Sequence, residues 1–477
     1  MRRIVKLLPA LMLILVAGAR LCAYTVPYES WMGTFVGEKK MGYLSYKIEK
    51  AEHDGIKGYR IASVLNNRMI VLGADLTQIV TSVVYTDSNY APLEEDFAMS
   101  SGGKTTKVRA TFKKDCIDCA ISAGSGGSQK TIPIPKGANL VGDAMFAVAA
   151  PEVGKLYNLN YFNPLTLSVD ELKVKVQGKE KVTLDGKEYD TIVVNNSTSM
   201  GDMTVWQEPG GEIVKVKAIM GITMLRQTKD EALAGLGEGT QEDFAVLTSV
   251  KPDREIASPR DLKKFNAVIE GLDDKAMLIS DSRQSVKVTD SKMKAVQYQI
   301  TATNFDQSKA ASLPIDDPKM AQFLISTSYI DCDISSVKDQ AEKILGNEKN
   351  SYVACSKLRA WINENMHPRA DIGITRSASD VLKSKVGVCR DYAILFAGLA
   401  RSQGIPAKVV AGLVYTNQAF YYHAWVECFV GQWVPFDATM PTDFVDATHI
   451  KMAEGDATSM FGLAKIIGSL KVDIKEP

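Results

Sequence analysis

The sequence predicts an α+β protein in which an antiparallel β-rich region, a barrel or a sandwich, precedes a mixed region of helices and strands. Two observations lead to this prediction. From residue 24 to about residue 250, short alternating runs recur between turn signals such as Asp54-Gly55 and Asp185-Gly186. After about Leu313, apolar residues recur at helical spacing instead. The 477 residues are enough for two or three domains.

The β-rich region is predicted from segments that alternate polar and apolar residues or are continuously β-branched. Pairing of such short strands through tight turns gives an antiparallel barrel or sandwich. Helical periodicity is scarce here, apart from the segment Gly142 to Ala150. The predicted strands include 42–48, 107–112, 172–176, 191–194 and 213–216.

A Gly-, Glu- and Ala-rich stretch, Gln227 to Gln241, is predicted to be a loop or linker. A second β segment follows, with strands expected at Ala267 to Gly271 and Ala295 to Ile300. The expected domain organisation therefore has four parts. These are a signal peptide at 1–23, a β-rich domain at 24–243, a β-rich intermediate segment at 244–312, and a last domain at 313–477.

The first residues are typical of a secretion signal. Arg2-Arg3 and Lys6 are positive, and the apolar stretch Leu7 to Ala19 is too short to span a bilayer. Cleavage after Ala23 would place the mature protein in the periplasm or outside the cell. An uncleaved anchor, or lipidation at Cys22, fits the flanking residues less well.

Composition excludes several classes of partner. Lys plus Arg and Asp plus Glu are 56 each, so the net charge is zero and a nucleic-acid partner is not expected. No segment after the signal is apolar enough to span a membrane. Six cysteines follow Cys22, too few for a disulfide scaffold in a chain of this length. Two of them form Cys116-x-x-Cys119, which without a second ligand pair predicts a local disulfide or two unpaired thiols.

Cys389 is predicted to open a helix. Ala393, Phe396, Ala397 and Ala400 recur at the spacing of one apolar helical face after it. At a helix N-terminus the dipole and the unpaired N–H groups favour a thiolate, the nucleophilic form of cysteine. The backbone N–H of Cys389 itself is a candidate oxyanion donor.

Two strands after this helix supply the expected partners of Cys389. His423 lies in a strand over 421–430, and Asp437 ends a strand that begins at Trp433. A histidine base held by a carboxylate on a neighbouring strand is the arrangement that activates a thiol for acyl transfer. The sequence therefore predicts Cys389, His423 and Asp437 as the catalytic residues.

Four linked blocks carry a family resemblance: Gly387–Cys389, Gly404–Val409, His423–Glu427 and Trp433–Thr439. In this order they closely resemble the transglutaminase-like superfamily, in particular its bacterial secreted members. The resemblance is dense over Ser377 to Thr448. It implies a papain-like fold, with the cysteine helix packed on an antiparallel sheet. It also implies that the matching Cys is the nucleophile, the His the base and the Asp the orienting group.

Other residues near these motifs have less certain roles. A family oxyanion side chain has only Trp361 as a weak candidate. Glu427 shares strand parity with His423, so it either supports the site or faces solvent, whereas Cys428 should face away. His449 either caps a loop or contacts substrate.

The sequence leaves three functions open. The first is a thiol hydrolase or acyltransferase that cleaves or transfers amide bonds of peptides, proteins or cell-wall peptide, with hydrolysis slightly preferred to cross-linking. The second is a non-catalytic periplasmic binding or scaffold protein. The third is a β-rich region that encloses an apolar ligand. No cofactor is implied, because no calcium loop is recognisable and the proposed chemistry needs none. The oligomeric state is not readable from the sequence.

Overall fold

A computed structural model describes residues 26–476 except 72–73, 102–103, 124–125, 144–147, 149–150, 199–200, 236–242, 273, 290–294 and 370–375. The predicted signal peptide, 1–23, lies outside these residues, as does most of the predicted helix at 142–150. Within the described part, no helix is both long and apolar enough to cross a membrane.

Fifteen strands form one large sheet in the first half of the chain. They are β1 Tyr28–Val36, β2 Lys39–His53, β3 Ile56–Val71, β4 Ala74–Asp87, β5 Pro92–Ser101, β6 Lys104–Phe112, β7 Cys116–Ala123, β8 Gly126–Pro133, β9 Leu140–Val141, β10 Leu156–Asn163, β11 Ser168–Leu184, β12 Lys187–Thr198, β13 Gly201–Gln207, β14 Ile213–Lys217 and β15 Ile222–Gln227. Neighbours are antiparallel except the short pair β9 and β10. The order runs β8 to β1, then β15 back to β9, because β1 pairs with β15.

The two halves of this sheet pack on a shared apolar core. Leu44 and Ile48 of β2 belong to the same buried cluster as Val174 of β11, Val194 of β12 and Val216 of β14. Each strand points alternate residues inward, so the alternating pattern of the sequence becomes one apolar face. The predicted antiparallel β-rich region is confirmed.

The predicted linker is partly helical. After β15, helix α1 (Lys229–Leu233) follows, because the Thr228 side chain accepts the Glu231 N–H and the Glu231 carboxylate accepts the Thr228 N–H. Helix α2 (Phe244–Thr248) follows the undescribed residues 236–242. The linker prediction missed α1, whose capping residues are a readable helix signal.

The intermediate segment builds a second sheet, in the order β17, β18, β16, β25. Its strands are β16 Lys264–Glu270, β17 Gln284–Val288, β18 Ala295–Thr301 and β25 Lys471–Glu476. Both strands predicted in this segment are confirmed. The fourth strand is the last described element of the chain, so the C-terminal end completes a sheet that begins about two hundred residues earlier.

Among its described residues, the last part of the chain contains four α-helices and a third sheet. The elements are α3 Ser335–Leu345, α4 Ser351–Asn365, β19 His367–Pro368, α5 Ala378–Ser384, β20 Val386–Gly387, α6 Cys389–Ser402, β21 Ala407–Thr416, β22 Ala419–Phe429, β23 Trp433–Phe436 and β24 Ile450–Gly455. The third sheet has the antiparallel order β23, β22, β21, β24, and β19 and β20 form a short parallel pair.

The third sheet is covered on both faces. Val409 and Val426 pack with α6 and the other helices, whereas Leu413 and Ile450 pack with Tyr298 of the second sheet. Burial on both faces explains why β21 reads as a continuous apolar run instead of an alternating one. The helix at Cys389 on an antiparallel sheet confirms the predicted α+β architecture.

Candidate active site

Cys389 is the first residue of α6, as predicted. The helix start is fixed by Asp391, whose Oδ2 accepts the Val388 N–H at 2.9 Å and lies 3.0 Å from Arg376 Nη2. A Cβ at position 387 would lie 2.5 Å from the Asp391 side chain. Glycine is therefore required before the cysteine by the close approach of a buried carboxylate.

His423 and Asp437 come together on adjacent strands. His423 lies in the middle of β22, and Asp437 directly follows β23, its neighbour in the sheet. His423 Nε2 is 2.7 Å from Asp437 Oδ2. The other carboxylate oxygen, Oδ1, accepts the N–H of Thr439 at 2.8 Å and its hydroxyl at 2.7 Å. The carboxylate is thus held on both oxygens and can orient the ring.

The third predicted residue joins this pair. The His423 side chain hydrogen-bonds to the Cys389 thiol, and the Ala424 N–H is directed at the same sulfur. Because Nε2 contacts Asp437, the ring nitrogen that remains for the sulfur is Nδ1. The structure therefore brings all three predicted residues into one hydrogen-bonded row.

Electrostatics in this row favour an ion pair. Burial alone would raise the pKa of Cys389, but the His423 hydrogen bond and charge, with the Ala424 N–H, lower it below the usual value. Burial alone would lower the pKa of His423, but the Asp437 charge and hydrogen bond raise it to about 10. Although burial opposes ionisation of Asp437, the charge of His423 holds its pKa well below the usual range. The arrangement therefore favours an ion pair of a Cys389 thiolate and a His423 imidazolium.

A cleft of about 250 Å³ opens beside Cys389. Its walls include Asn363 of α4, Arg369, Tyr392 and Thr439. Trp361, the residue suggested from the sequence as an oxyanion group, packs instead against the helical core with Lys385 Nζ 5.3 Å from its ring centroid. The residue that α4 contributes to the cleft wall is Asn363.

His449 is the residue whose placement the sequence did not predict. It is buried beside the row, with Nε2 3.3 Å from Asp437 Oδ2 and Nδ1 3.4 Å from Asp446 Oδ2. It directly precedes β24, which lies two strands from β22 in the sheet. The pattern Asp446-Ala-Thr-His449 was visible in the sequence, but the strand order that brings it to Asp437 was not.

Glu427 neither faces solvent nor contacts the row directly. It is buried, and its carboxylate binds Lys451 Nζ at 2.7 Å and Lys408 Nζ at 3.1 Å. Lys451 Nζ also contacts Asp281 at 2.5 Å and Glu454 at 2.9 Å. Burial alone would lower the pKa of Lys451, but the three carboxylates raise it well above the usual value.

The other cysteines in the described part of the chain are also free thiols. Cys116 and Cys119 are free and three residues apart on β7, so their side chains leave opposite faces of the strand. The sequence allowed either a local disulfide or two unpaired thiols at Cys116 and Cys119, and the structure has two unpaired thiols. Cys428 faces away from His423, as predicted, and contacts Cys355 in the helical core.

Two clusters among the described residues bring together groups that bind metals. One consists of His423, Asp437 and His449, with donor atoms within 4.8 Å of one another. Both Nε2 atoms converge on the Asp437 oxygen itself, which makes this a hydrogen-bonded group and not an open coordination sphere. The other consists of Asp281, Glu427 and Glu454, and the Lys451 ammonium occupies its centre.

A cysteine at the start of a helix, facing a His–Asp pair on an antiparallel sheet, places this region in the class of papain-like folds. Residues 338–438 match the family model described as the transglutaminase-like superfamily. The predicted resemblance is confirmed, and this segment is similar to the transglutaminase-like superfamily. The name transglutaminase-like domain is used for the part of the chain from α3 to β24 that contains it. Members of the superfamily are generally cysteine peptidases or transglutaminases, which supports an enzymatic role at the level of the family.

Residues 24–225 match a second family model, described as a protein of unknown function (DUF3108). This match covers nearly all of the fifteen-stranded sheet. An uncharacterized protein of Mycobacterium leprae is 29% identical over 104 residues, which are 20% of this chain and 36% of that protein. The chain therefore spans only about a third of the length of this curated relative.

Three solved structures overlap parts of the chain. A proposed cysteine protease from Cytophaga hutchinsonii has a TM-score of 0.31 and 19% identity, covering 44% of this chain and 81% of that one. The β-barrel-like DUF1849 protein of Brucella abortus has a TM-score of 0.32 and 11% identity, covering 43% and 97%. The periplasmic domain of TgpA from Pseudomonas aeruginosa, bound to ethylmercury, has a TM-score of 0.28 and 15% identity, covering 40% and 87%.

Proposed function

We propose that the transglutaminase-like domain is a thiol enzyme that acts on amide bonds of peptide or protein substrates through a thioester. The observation that supports this most is the hydrogen-bonded row of Cys389, His423 and Asp437 at the edge of a cleft. A buried structural cysteine would have no need of a charged histidine or of a carboxylate behind it.

In the proposed reaction, the Cys389 thiolate attacks the substrate carbonyl carbon, and the electron pair of the C=O bond moves to oxygen. We propose that the Cys389 N–H at the start of α6, where the first helical N–H groups lack partners within the helix, stabilises that oxyanion. The C–N bond then breaks as the His423 imidazolium gives its proton to the leaving amine, and Asp437 keeps the ring oriented throughout. Water, activated by the neutral His423, hydrolyses the thioester.

Hydrolysis remains our preferred outcome over transfer to a second amine. One wall of the cleft carries Arg369, whereas an acceptor lysine would favour a water-excluding tunnel lined by carboxylates. Peptide, protein and cell-wall peptide are all substrates with amide bonds of the required kind. We also propose that residues 1–23 direct the protein to the periplasm or the exterior, which N-terminal sequencing of the mature protein would test.

The first experiment measures the rate at which iodoacetamide modifies individual cysteines as a function of pH, read by peptide mass spectrometry. Cys116 is an internal control, because it is also half-buried but has no histidine beside it in the described structure. We expect Cys389 to react at pH 6 at least about tenfold faster than Cys116, since a free thiol has a pKa of about 8.5.

The variant His423→Ala should remove this difference, and His53→Ala, a histidine in the large sheet, should not. Equal rates for Cys389 and Cys116 in the wild type would contradict the enzyme proposal and favour the non-catalytic binding protein. If the thiol is activated, the next experiment tests unfolded proteins and peptidoglycan as substrates. New amino termini would indicate hydrolysis, and incorporation of a fluorescent amine would indicate transfer.

A further inference from the structure

The buried carboxylate of Asp391 is in contact with a guanidinium from outside α6. Arg376 Nη2 is 3.0 Å from Asp391 Oδ2, and the two side chains are 16% and 0% exposed. The same Nη2 donates to the Val386 carbonyl oxygen at 2.8 Å, and Nη1 donates to Ser384 Oγ at 2.9 Å. One arginine therefore joins the end of α5, the strand β20 and the first turn of α6.

The cap of α5 fixes the backbone beside Arg376. Arg376 directly precedes Ser377, whose hydroxyl accepts the Asp380 N–H at 3.3 Å and caps the helix. Because a helix of seven residues is only about 10 Å long, the side chain of Arg376 reaches Ser384 at the last position of α5.

Asp391 connects this arginine to the peptide group that contains the Cys389 N–H. Its Oδ2 accepts the Val388 N–H at 2.9 Å, and its own N–H donates to the Val388 carbonyl oxygen at 2.8 Å. The Val388 carbonyl and the Cys389 N–H belong to one planar peptide group. Binding the carbonyl therefore also fixes the direction of the Cys389 N–H.

The strand before Val388 is held on both sides. The Arg369 N–H donates to the Gly387 carbonyl oxygen at 2.9 Å, and Arg376 binds the Val386 carbonyl oxygen. The chain therefore enters α6 along one path, which the Arg376 guanidinium and the Asp391 carboxylate share.

A second guanidinium lies further from the same carboxylate. Arg390 Nε is 3.8 Å from Asp391 Oδ1, beyond hydrogen-bond distance. In the described contacts Arg390 does not reach β20. Arg376 is therefore the cation that links Asp391 to the strand before the cysteine.

We propose that Arg376 is a positioning residue of the Cys389 reaction, which through Asp391 and the Val386 carbonyl fixes the peptide plane of the Cys389 N–H so that this group meets the oxyanion. This inference rests on the proposed function. Arg376 does not touch Cys389 in the described contacts. Its removal should leave the Cys389–His423 pair in place but release the oxyanion donor.

Two reagents separate these effects, because only one of them passes through an oxyanion. Iodoacetamide reacts at a saturated carbon, where the C–S bond forms as iodide leaves. p-Nitrophenyl acetate reacts at its carbonyl carbon. The C=O electron pair moves to oxygen and returns as p-nitrophenolate leaves, which gives an acetyl thioester. The ratio of the acylation rate to the alkylation rate of Cys389 therefore measures the oxyanion donor, with Cys389→Ala as the background.

The decisive variant is Arg376→Met. We expect the ratio to fall at least about tenfold, since removing one oxyanion donor typically costs about a hundredfold or more. The control is Arg401→Met, which removes a 5% exposed arginine from the other end of the same helix, about 18 Å along its axis from Cys389. It should lower the stability of the protein and leave the ratio unchanged.

Asp391→Ala tests whether Arg376 acts through this carboxylate. We expect it to lower the ratio as well, because the Val388 N–H loses its acceptor. The double variant Arg376→Met/Asp391→Ala should match the lower of the two single variants within about a factor of two. Losses that multiply would mean that the two residues act independently and would overturn the inference.

The outcomes distinguish this inference from the proposed function. A ratio that falls in Arg376→Met and not in Arg401→Met supports the inference. An activated Cys389 with an unchanged ratio, or with both rates lowered by the same factor, overturns the inference alone. A wild-type Cys389 that iodoacetamide modifies no faster than Cys116 overturns the proposed function, and this inference with it.

Arg376→Lys replaces Arg376→Met if the latter does not fold. It keeps the positive charge but loses the planar fork that contacts Ser384, Val386 and Asp391 together. The ratio should then fall at least about threefold, because the peptide plane is less firmly held. An unchanged ratio in Arg376→Lys would overturn the inference.

Discussion

The large N-terminal sheet and the transglutaminase-like domain place their ion pairs differently. In the sheet, most of the described pairs lie on the surface, such as Lys181 and Glu188 at 2.5 Å with side chains 64% and 57% exposed, although Arg226 and Glu208 are half-buried. In the domain, Lys451 and Glu427 are 2.7 Å apart with side chains 1% and 4% exposed. Exposed pairs contribute little to stability, whereas removing one partner of a buried pair is costly. Buried charged groups therefore indicate where the structure depends on a specific arrangement of side chains.

The large sheet has one conspicuous exception to this rule. Glu95 of β5 points into the interior, where Ser82 Oγ donates to its carboxylate at 3.0 Å. Burial raises the pKa of Glu95 to about 8, although the Ser82 hydrogen bond opposes the change. Because its pKa is about 8, the Glu95 carboxyl group is neutral at pH 7, and the interior of the sheet carries no charge at this position.

The largest effect is expected from removing the buried ammonium group of Lys451. Lys451→Met would leave Asp281, Glu427 and Glu454 with too little positive charge in a buried place. We expect the free energy of unfolding to fall by about 3–5 kcal/mol, measured by urea denaturation followed by circular dichroism. A loss below about 1 kcal/mol would mean that water reaches these carboxylates, and the contrast between the two regions would weaken.

The second largest effect is expected from removing the charge of Asp437, which is proposed to support catalysis. Asp437→Asn keeps the shape of the side chain but removes the charge that supports the His423 imidazolium. We expect iodoacetamide to modify Cys389 about thirtyfold more slowly at pH 6, because less of the thiol is ionised. Asp443→Asn, which removes the charge of a partly exposed aspartate paired with the buried Arg359, is the control and should leave the rate near that of the wild type.

A smaller effect tests the exception in the large sheet. The pKa of Glu95 is raised to about 8 by folding, from a usual value of 4.5, so the folded state binds more protons between these values. Stability should therefore be full below about pH 4.5 and decline as the pH rises towards 8. Glu95→Gln should raise the free energy of unfolding at pH 8, where the wild-type carboxyl group is ionised in the unfolded chain, and leave it unchanged at pH 4.

The adjacent substitution Glu94→Gln is the control for Glu95, since Glu94 is on the opposite face of β5. It should give no comparable gain at pH 8. A pH-independent effect of Glu95→Gln would show that the carboxyl group is ionised in the folded protein and that the interior of the sheet tolerates charge.

The smallest effect is expected for the exposed pair. Lys181→Met breaks the contact with Glu188 on the surface of the large sheet. The free energy of unfolding should change by less than about 0.5 kcal/mol, and less still at high salt, because water and ions screen both groups. A cost close to that of Lys451→Met would remove the contrast between the two regions.

Local sequence patterns were enough to predict most elements near the site. Apolar spacing predicted α6 and the change to helices after about Leu313, and the alternating runs predicted the strands of the large sheet that were named from the sequence. α5 and β24 were not predicted. α5 is only seven residues long, and the buried residues of β24 do not alternate with exposed ones. Neither segment therefore shows a clear periodicity of apolar residues in the sequence. The capping pattern at Thr228 and Glu231 was readable but overlooked.

The sequence by itself determined the β-rich start, the helix that begins at Cys389 and the identity of the three residues proposed for catalysis. Those features depend on neighbours in the chain, where spacing and turn residues carry the information. Only the tertiary structure decided which buried charges meet. Sheet order places β24 beside β21 and β25 beside β16, so His449 reaches Asp437 and Lys451 reaches Glu427 and Asp281. Such pairings arise from strand order and the packing of whole layers, which no local period in the sequence encodes.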